Sequence, residues 1–172
     1  AAELAENRKD SRVAREYEIA LPAELDAEQR KELTREFAKD IANRYGGAVD
    51  IAIHAPHRDG DQRNHHAHLL ATTRQITPAG LGRKTSIELS DTDRKKRGMG
   101  PAATELEALR QRWADMSNQA LERHGHSARI DHRTLSAQRE DAQQKGDDKQ
   151  AAELDREPTK HLGPSATAME RR

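Results

Sequence analysis

The chain has 172 residues, 33% of them hydrophobic and 35% charged, with 30 Lys+Arg against 30 Asp+Glu, so net charge argues neither for nor against nucleic acid and local clusters must decide. The absence of cysteine excludes disulfides, thiolate zinc ligands and cysteine nucleophiles together. No apolar run approaches the roughly 20 residues of a membrane span and the start lacks a signal-peptide core, so a cytoplasmic protein is expected.

The length fits one domain whose core is lean, since the aromatic side chains reduce to Tyr17, Phe37, Tyr45 and Trp113. The chain opens at Ala1, without Met, on the charged segment AAELAENRKD, which reads as the tail of a helix and points to a fragment or a processed product. Residues 11–21 then alternate: Val13, Arg15, Tyr17, Ile19 and Leu21 share one face, and Glu16, Glu18 and Ala20 the other. That is a period-two strand, stopped by Pro22. By composition alone, two carboxylates on one strand face mean solvent.

Asp26 followed by Gln29 resembles a capping box, and Leu33, Phe37, Ile41 and Tyr45 recur every fourth residue, which predicts a helix ended by Gly46-Gly47. Phe37 and Tyr45 fall on its core stripe. Residues 48–54, AVDIAIH, form a second strand with His54 at its end. The polar stretch PHRDGDQRN is turn-like, and residues 66–73 form a third strand, so the two strands are expected to pair as an antiparallel hairpin.

Residues 77–82 read as a loop, and residues 83–101 carry a basic cluster of Arg83, Lys84, Arg94, Lys95, Lys96 and Arg97. That segment is either a solvated mobile loop or a flap that contacts DNA phosphates. A second helix is expected over 102–124, with Leu106, Leu109, Trp113, Met116, Ala120 and Leu121 on one face. Residues 126–135 are basic and extended or irregular. The rest is polar, so the domain division is a core over 1–135 and a mobile or helical extension over 136–172, with a turn-like His161-Leu162-Gly163-Pro164 and a basic end at Arg171-Arg172.

Five of the nine histidines lie between His54 and His68. In a strand, alternate side chains share a face, so His66 and His68 project together and Ala67 points away. Folding the hairpin back brings His54 beside them. Three imidazoles at one sheet end read as a metal site with open positions, the arrangement a catalytic ion needs. His65 and His57 compete for the third place, the first pointing opposite to His66 and His68, the second out in the turn. Imidazole suits zinc, copper, nickel or iron, whereas manganese and magnesium prefer oxygen ligands, which a substrate phosphate supplies.

The strand EYEIALP at 16–22, the segment IHAPHRDGDQRNHHAHLL at 53–70, the helix WADMSNQALERHGHSARIDHRTL at 113–135 and the late HLGP resemble the relaxases of MobA/MobL type, a branch of the HUH endonucleases that start plasmid transfer. The resemblance implies an α+β fold, an antiparallel β-sheet flanked by helices. It also implies that single-stranded or hairpin DNA at an origin of transfer is nicked by a tyrosine that stays linked to the 5′-phosphate. It further implies a divalent ion, Mn2+ or Mg2+, held by His54, His66 and His68, with Glu16 and Glu18 orienting a ligand histidine or assisting deprotonation of the tyrosine. Accessory relaxosome proteins are implied partners. In that family the nucleophilic tyrosine lies near the N-terminus, after a first strand, so it is expected upstream of Ala1. Two readings of other classes stand beside this one: a non-catalytic single-stranded DNA-binding module, and a histidine-metal hydrolase that uses metal-bound water.

Overall fold

The computed structural model describes residues 2–6 and 11–157 and divides into two compact units, Ala1–Ile130 and Asp131–Arg172. In the first unit the period-two segment forms strand β1, Ala14–Ala20, and the four-residue periodicity forms helix α1, Ala27–Tyr45. Strand β2, Val49–His54, and strand β3, His66–Thr72, follow. All three strands are antiparallel in the order β1-β3-β2. The hairpin of β2 and β3 therefore forms as expected.

Both bonds of the capping box are present at the start of α1: Asp26 accepts from Gln29 N–H and Gln29 accepts from Asp26 N–H, each at 2.9 Å. Gly46 ends the helix at φ 70°, a left-handed conformation that a side chain disfavours. The stripe of α1 lies on the sheet. Ile19 of β1 and Ala67, Leu69 and Ala71 of β3 pack with Phe37, Ile41 and Tyr45, and with Leu109 of helix α3, Ala102–Arg123. Phe37 and Trp113 meet at 4.9 Å between ring centroids, tilted by 55°. The opposite sheet face is open, and Glu16, Glu18, Asp50 and Ala52 are exposed on it.

Three features differ from the sequence expectation. Residues 77–82 belong to a second, two-stranded hairpin of β4, Arg74–Thr77, and β5, Gly80–Lys84. Its glycines hide the strand pattern, yet Gly80 at φ 107° makes the turn, and a Cβ on Gly82 would stand 3.0 Å from Thr77 Cγ2. The basic segment is ordered into a 3-10 turn, Ser86–Glu88, and helix α2, Asp91–Lys96, whose N-cap Ser90 accepts from Asp93 N–H. Leu106, placed on the α3 core stripe by periodicity, is 38% exposed and belongs to neither core cluster.

The second unit contains α4, Leu135–Gln144, and α5, Asp148–Leu154, capped by Thr134 and Asp147. The polar run does bury something: Ala142 and Ala151 are enclosed, and Arg133 bridges Asp131 and Asp141. Near the N-terminus, Glu3–Ala5 is one 3-10 turn. The motif at 161–164 and the basic end lie outside the described residues. Among the described residues no helix is long and apolar enough to cross a membrane.

Candidate metal centre

The register of the sheet decides which side chains meet. His54 stands directly opposite His66 across β2 and β3, and Glu18 stands directly opposite His68 across β1 and β3. Period-two alternation puts all four on the open face, away from α1. The three rings gather at one end of the sheet, with centroids 5.1 Å apart for His54 and His66, 4.7 Å for His54 and His68, and 5.4 Å for His66 and His68. One ring nitrogen from each lies within 4.8 Å of the others, so a single ion can be shared with small ring rotations.

The second nitrogens of two rings are occupied by acceptors. Glu16 Oε1 is 2.7 Å from His68 Nδ1, and the carbonyl of Asn64 is 3.3 Å from His66 Nδ1. Acceptors at Nδ1 place the proton there, and the Nε2 lone pair of each ring is left for a ligand. That pattern is the usual support of a metal-binding imidazole. The donor set thus fits a divalent ion.

Of the two glutamates, Glu16 is engaged by His68, while Glu18 faces solvent and makes no hydrogen bond or ion pair among the described residues. His65 is outside the trio. Its backbone carbonyl accepts from Leu21 N–H at 2.8 Å, and burial, with Arg30 and His66 nearby, lowers its basicity. His57 is held in the turn, where its Nδ1 is 3.3 Å from Asp59 N. The contact from Asn64 was not visible in the sequence, since a backbone carbonyl carries no residue signature.

Both tyrosines lie on the core side of the sheet. Tyr17 is paired with Leu69, and burial pushes its phenol up to about 12. Tyr45 is 4% exposed, and burial together with the nearby Glu105 raises it as well. Neither phenol faces the histidines, and neither is poised to ionise.

The basic cluster is dispersed over β5, α2 and the C-cap of α2 at Arg97, and is not part of the histidine sheet. Arg83 donates to Gln75 at 2.9 Å, and Lys84 pairs with Glu6 at 3.2 Å. Arg94 is 3% exposed, ion-paired with Glu105, and donates to the carbonyls of Ser86 and Gly100. Its charge is spent inside the fold. Lys95, Lys96 and Arg97 are exposed, with Lys96 3.8 Å from Asp93.

The MobA/MobL family model matches residues 1–172. The chain belongs to the MobA/MobL family. It is 37% identical over 186 residues to mobilization protein MobL of Acidithiobacillus ferridurans, covering 96% of this chain and 45% of that protein. It is 38% identical over 180 residues to mobilization protein A of Escherichia coli, covering 100% of this chain and 22% of that protein. The MobA/MobL chain thus spans less than half the length of either relative. Among solved structures, a chain from work on the molecular basis of vancomycin resistance transfer in Staphylococcus aureus matches with TM-score 0.57 at 34% identity, covering 77% of this chain and 63% of that one. The α+β architecture, antiparallel sheets flanked by helices, is shared with that solved chain.

Proposed function

We propose that this chain is the metal- and DNA-holding part of a relaxase, which nicks one strand at a plasmid's origin of transfer and so begins mobilisation. The observation that carries the reading is the convergence of His54, His66 and His68 within 4.8 Å on an open sheet face. The mobilization relatives support it.

In this reading the three imidazoles hold a divalent ion, Mn2+ or Mg2+, with Zn2+ or another transition metal as the alternative. When bound, such an ion acts as a Lewis acid on the scissile phosphate. Three neutral donors leave its full charge for that phosphate. Glu16 keeps the Nδ1 proton on His68 and fixes the ring's direction. Glu18 lies opposite His68 on the same face, and in this reading it takes the proton of the attacking hydroxyl. A tyrosyl oxygen then bonds to phosphorus, the bond to the 3′ oxygen breaks, and that oxygen takes a proton from solvent and leaves as a free hydroxyl. Tyr17 and Tyr45 are on the wrong face, so the reading takes the nucleophile from outside these 172 residues. Accessory proteins at the origin and a cytoplasmic setting complete it.

The test uses this chain joined to an N-terminal segment that supplies a tyrosine, with Mn2+ and a supercoiled plasmid bearing the cognate origin. Nicking with a covalent 5′ adduct, lost in His66→Ala, is expected. Nicking without any adduct would favour attack by metal-bound water, and chelator-indifferent binding without nicking would favour a DNA-binding module.

A further inference from the structure

The loop between the two histidine-bearing strands, residues 55–65, joins His54 to His66 and so closes the end of the sheet where the imidazoles gather. It has no regular structure, yet it is held by its own hydrogen bonds. The Gln62 side-chain amide nitrogen lies 3.0 Å from the carbonyl of His57, 3.2 Å from that of Arg58 and 3.0 Å from that of Gly60, sharing its two hydrogens among them. Gly60 N–H donates to the His57 carbonyl at 2.9 Å, and Asn64 N–H to the Asp61 carbonyl at 3.0 Å.

The two arginines of this loop have different states. Arg63 is committed: its Nε and Nη2 donate to Asp61 at 3.0 and 2.8 Å, and its backbone N–H adds a bond at 2.9 Å. The Arg63 guanidinium holds the Asp61 carboxyl down at about 2. Arg58 is 95% exposed, and its carboxylate neighbour Asp59 is 3.9 Å away, a contact of two solvated charges worth little. The loop therefore offers one uncommitted guanidinium on a backbone already fixed. A preformed loop loses little further freedom on binding.

We propose that residues 55–65 form a preformed clamp for the backbone of single-stranded DNA, in which Arg58 takes a phosphate neighbouring the one at the histidines and Gln62 holds the loop that presents it. The proposal rests on the relaxase reading above. A guanidinium matches phosphate oxygens in a two-bond fork, and the loop that carries it leaves β2 at His54 and enters β3 at His66, so both of its ends lie at the histidine site. It also moves the expected DNA contact away from Arg94 and Lys84, whose charges are engaged by Glu105 and Glu6.

The test measures binding of a labelled oligodeoxythymidylate to the full chain from about 50 to 200 mM salt. Arg58→Ala is expected to weaken binding severalfold and to lower the slope of log affinity against log salt by about 0.7, the loss of one single-strand phosphate contact. Arg58→Lys should keep the slope. Gln62→Met, which removes the shared donor at similar size and adds no charge, should weaken binding with the slope kept. A wild-type slope and affinity in Arg58→Ala, with wild-type binding intact, would overturn the clamp alone. Failure of the wild-type chain to bind the oligonucleotide at all would overturn both the clamp and the relaxase reading.

Discussion

Glu16 and His68 lie on adjacent strands two positions out of register, and the glutamate reaches diagonally to place Oε1 2.7 Å from the ring's Nδ1. Such diagonal neighbours are within reach of long side chains. The contact orients a ring whose other nitrogen belongs to the trio. Glu16→Ala is therefore expected to weaken binding of Mn2+ about 10- to 100-fold, with Glu16→Gln, which can still accept from Nδ1–H, falling between it and the wild type. Calorimetric titration of the three proteins checks the order, and equal affinities would remove the supporting role of Glu16.

Tyr17 has a phenol raised to about 12 by burial, against an ordinary value near 10. Its folded value lies above its unfolded one, so its contribution to stability is complete below about pH 10 and is lost as pH rises toward 12. Ultraviolet titration should show it still protonated where an exposed tyrosine has ionised. Tyr17→Phe should leave Mn2+ binding unchanged and flatten that alkaline loss. A covalent DNA adduct on Tyr17 would contradict its placement.

Arg94 tests the sorting of the basic residues. Removing it leaves Glu105 without its buried partner, so Arg94→Ala should destabilise the first unit by about 3–5 kcal/mol in denaturant unfolding. Lys95→Ala and Arg97→Ala, at exposed positions, should leave stability within about 0.5 kcal/mol. The reverse order would show that the pair with Glu105 does not hold the segment.

Phe37 fills the space between α1, the sheet and Trp113 and is 2% exposed. Phe37→Ala should cost about 3–5 kcal/mol of stability through lost burial and the cavity left behind. Because the histidines occupy the other sheet face, the folded fraction should keep its Mn2+ stoichiometry.

The sequence made the first sheet and α1 legible because their signals are local and agree with one another. Alternation at Tyr17, Ile19 and Leu21, the Asp26 and Gln29 cap, and Gly46 all act within a few residues. The meeting of His54 with His66 and His68 was also legible, since strand period and one hairpin suffice to place it. The β4-β5 hairpin was hidden because Gly80 and Gly82 erase side-chain alternation in short strands. The buried state of Arg94 was hidden for another reason: its partner Glu105 lies on a different helix, and a basic run reads alike whether it is solvated or paired. Gln62 and Arg58 share this property, because their roles depend on where carbonyls and carboxylates fall in the folded loop.

Whether His54, His66 and His68 hold one divalent ion is decided by paramagnetic titration of the full chain with Mn2+. One tight site is expected in the wild type, lost in His54→Ala, in His66→Ala and in His68→Ala alike, with His57→Ala indistinguishable from wild type. Undiminished one-site binding in His66→Ala, in a protein that melts as the wild type does, would contradict it.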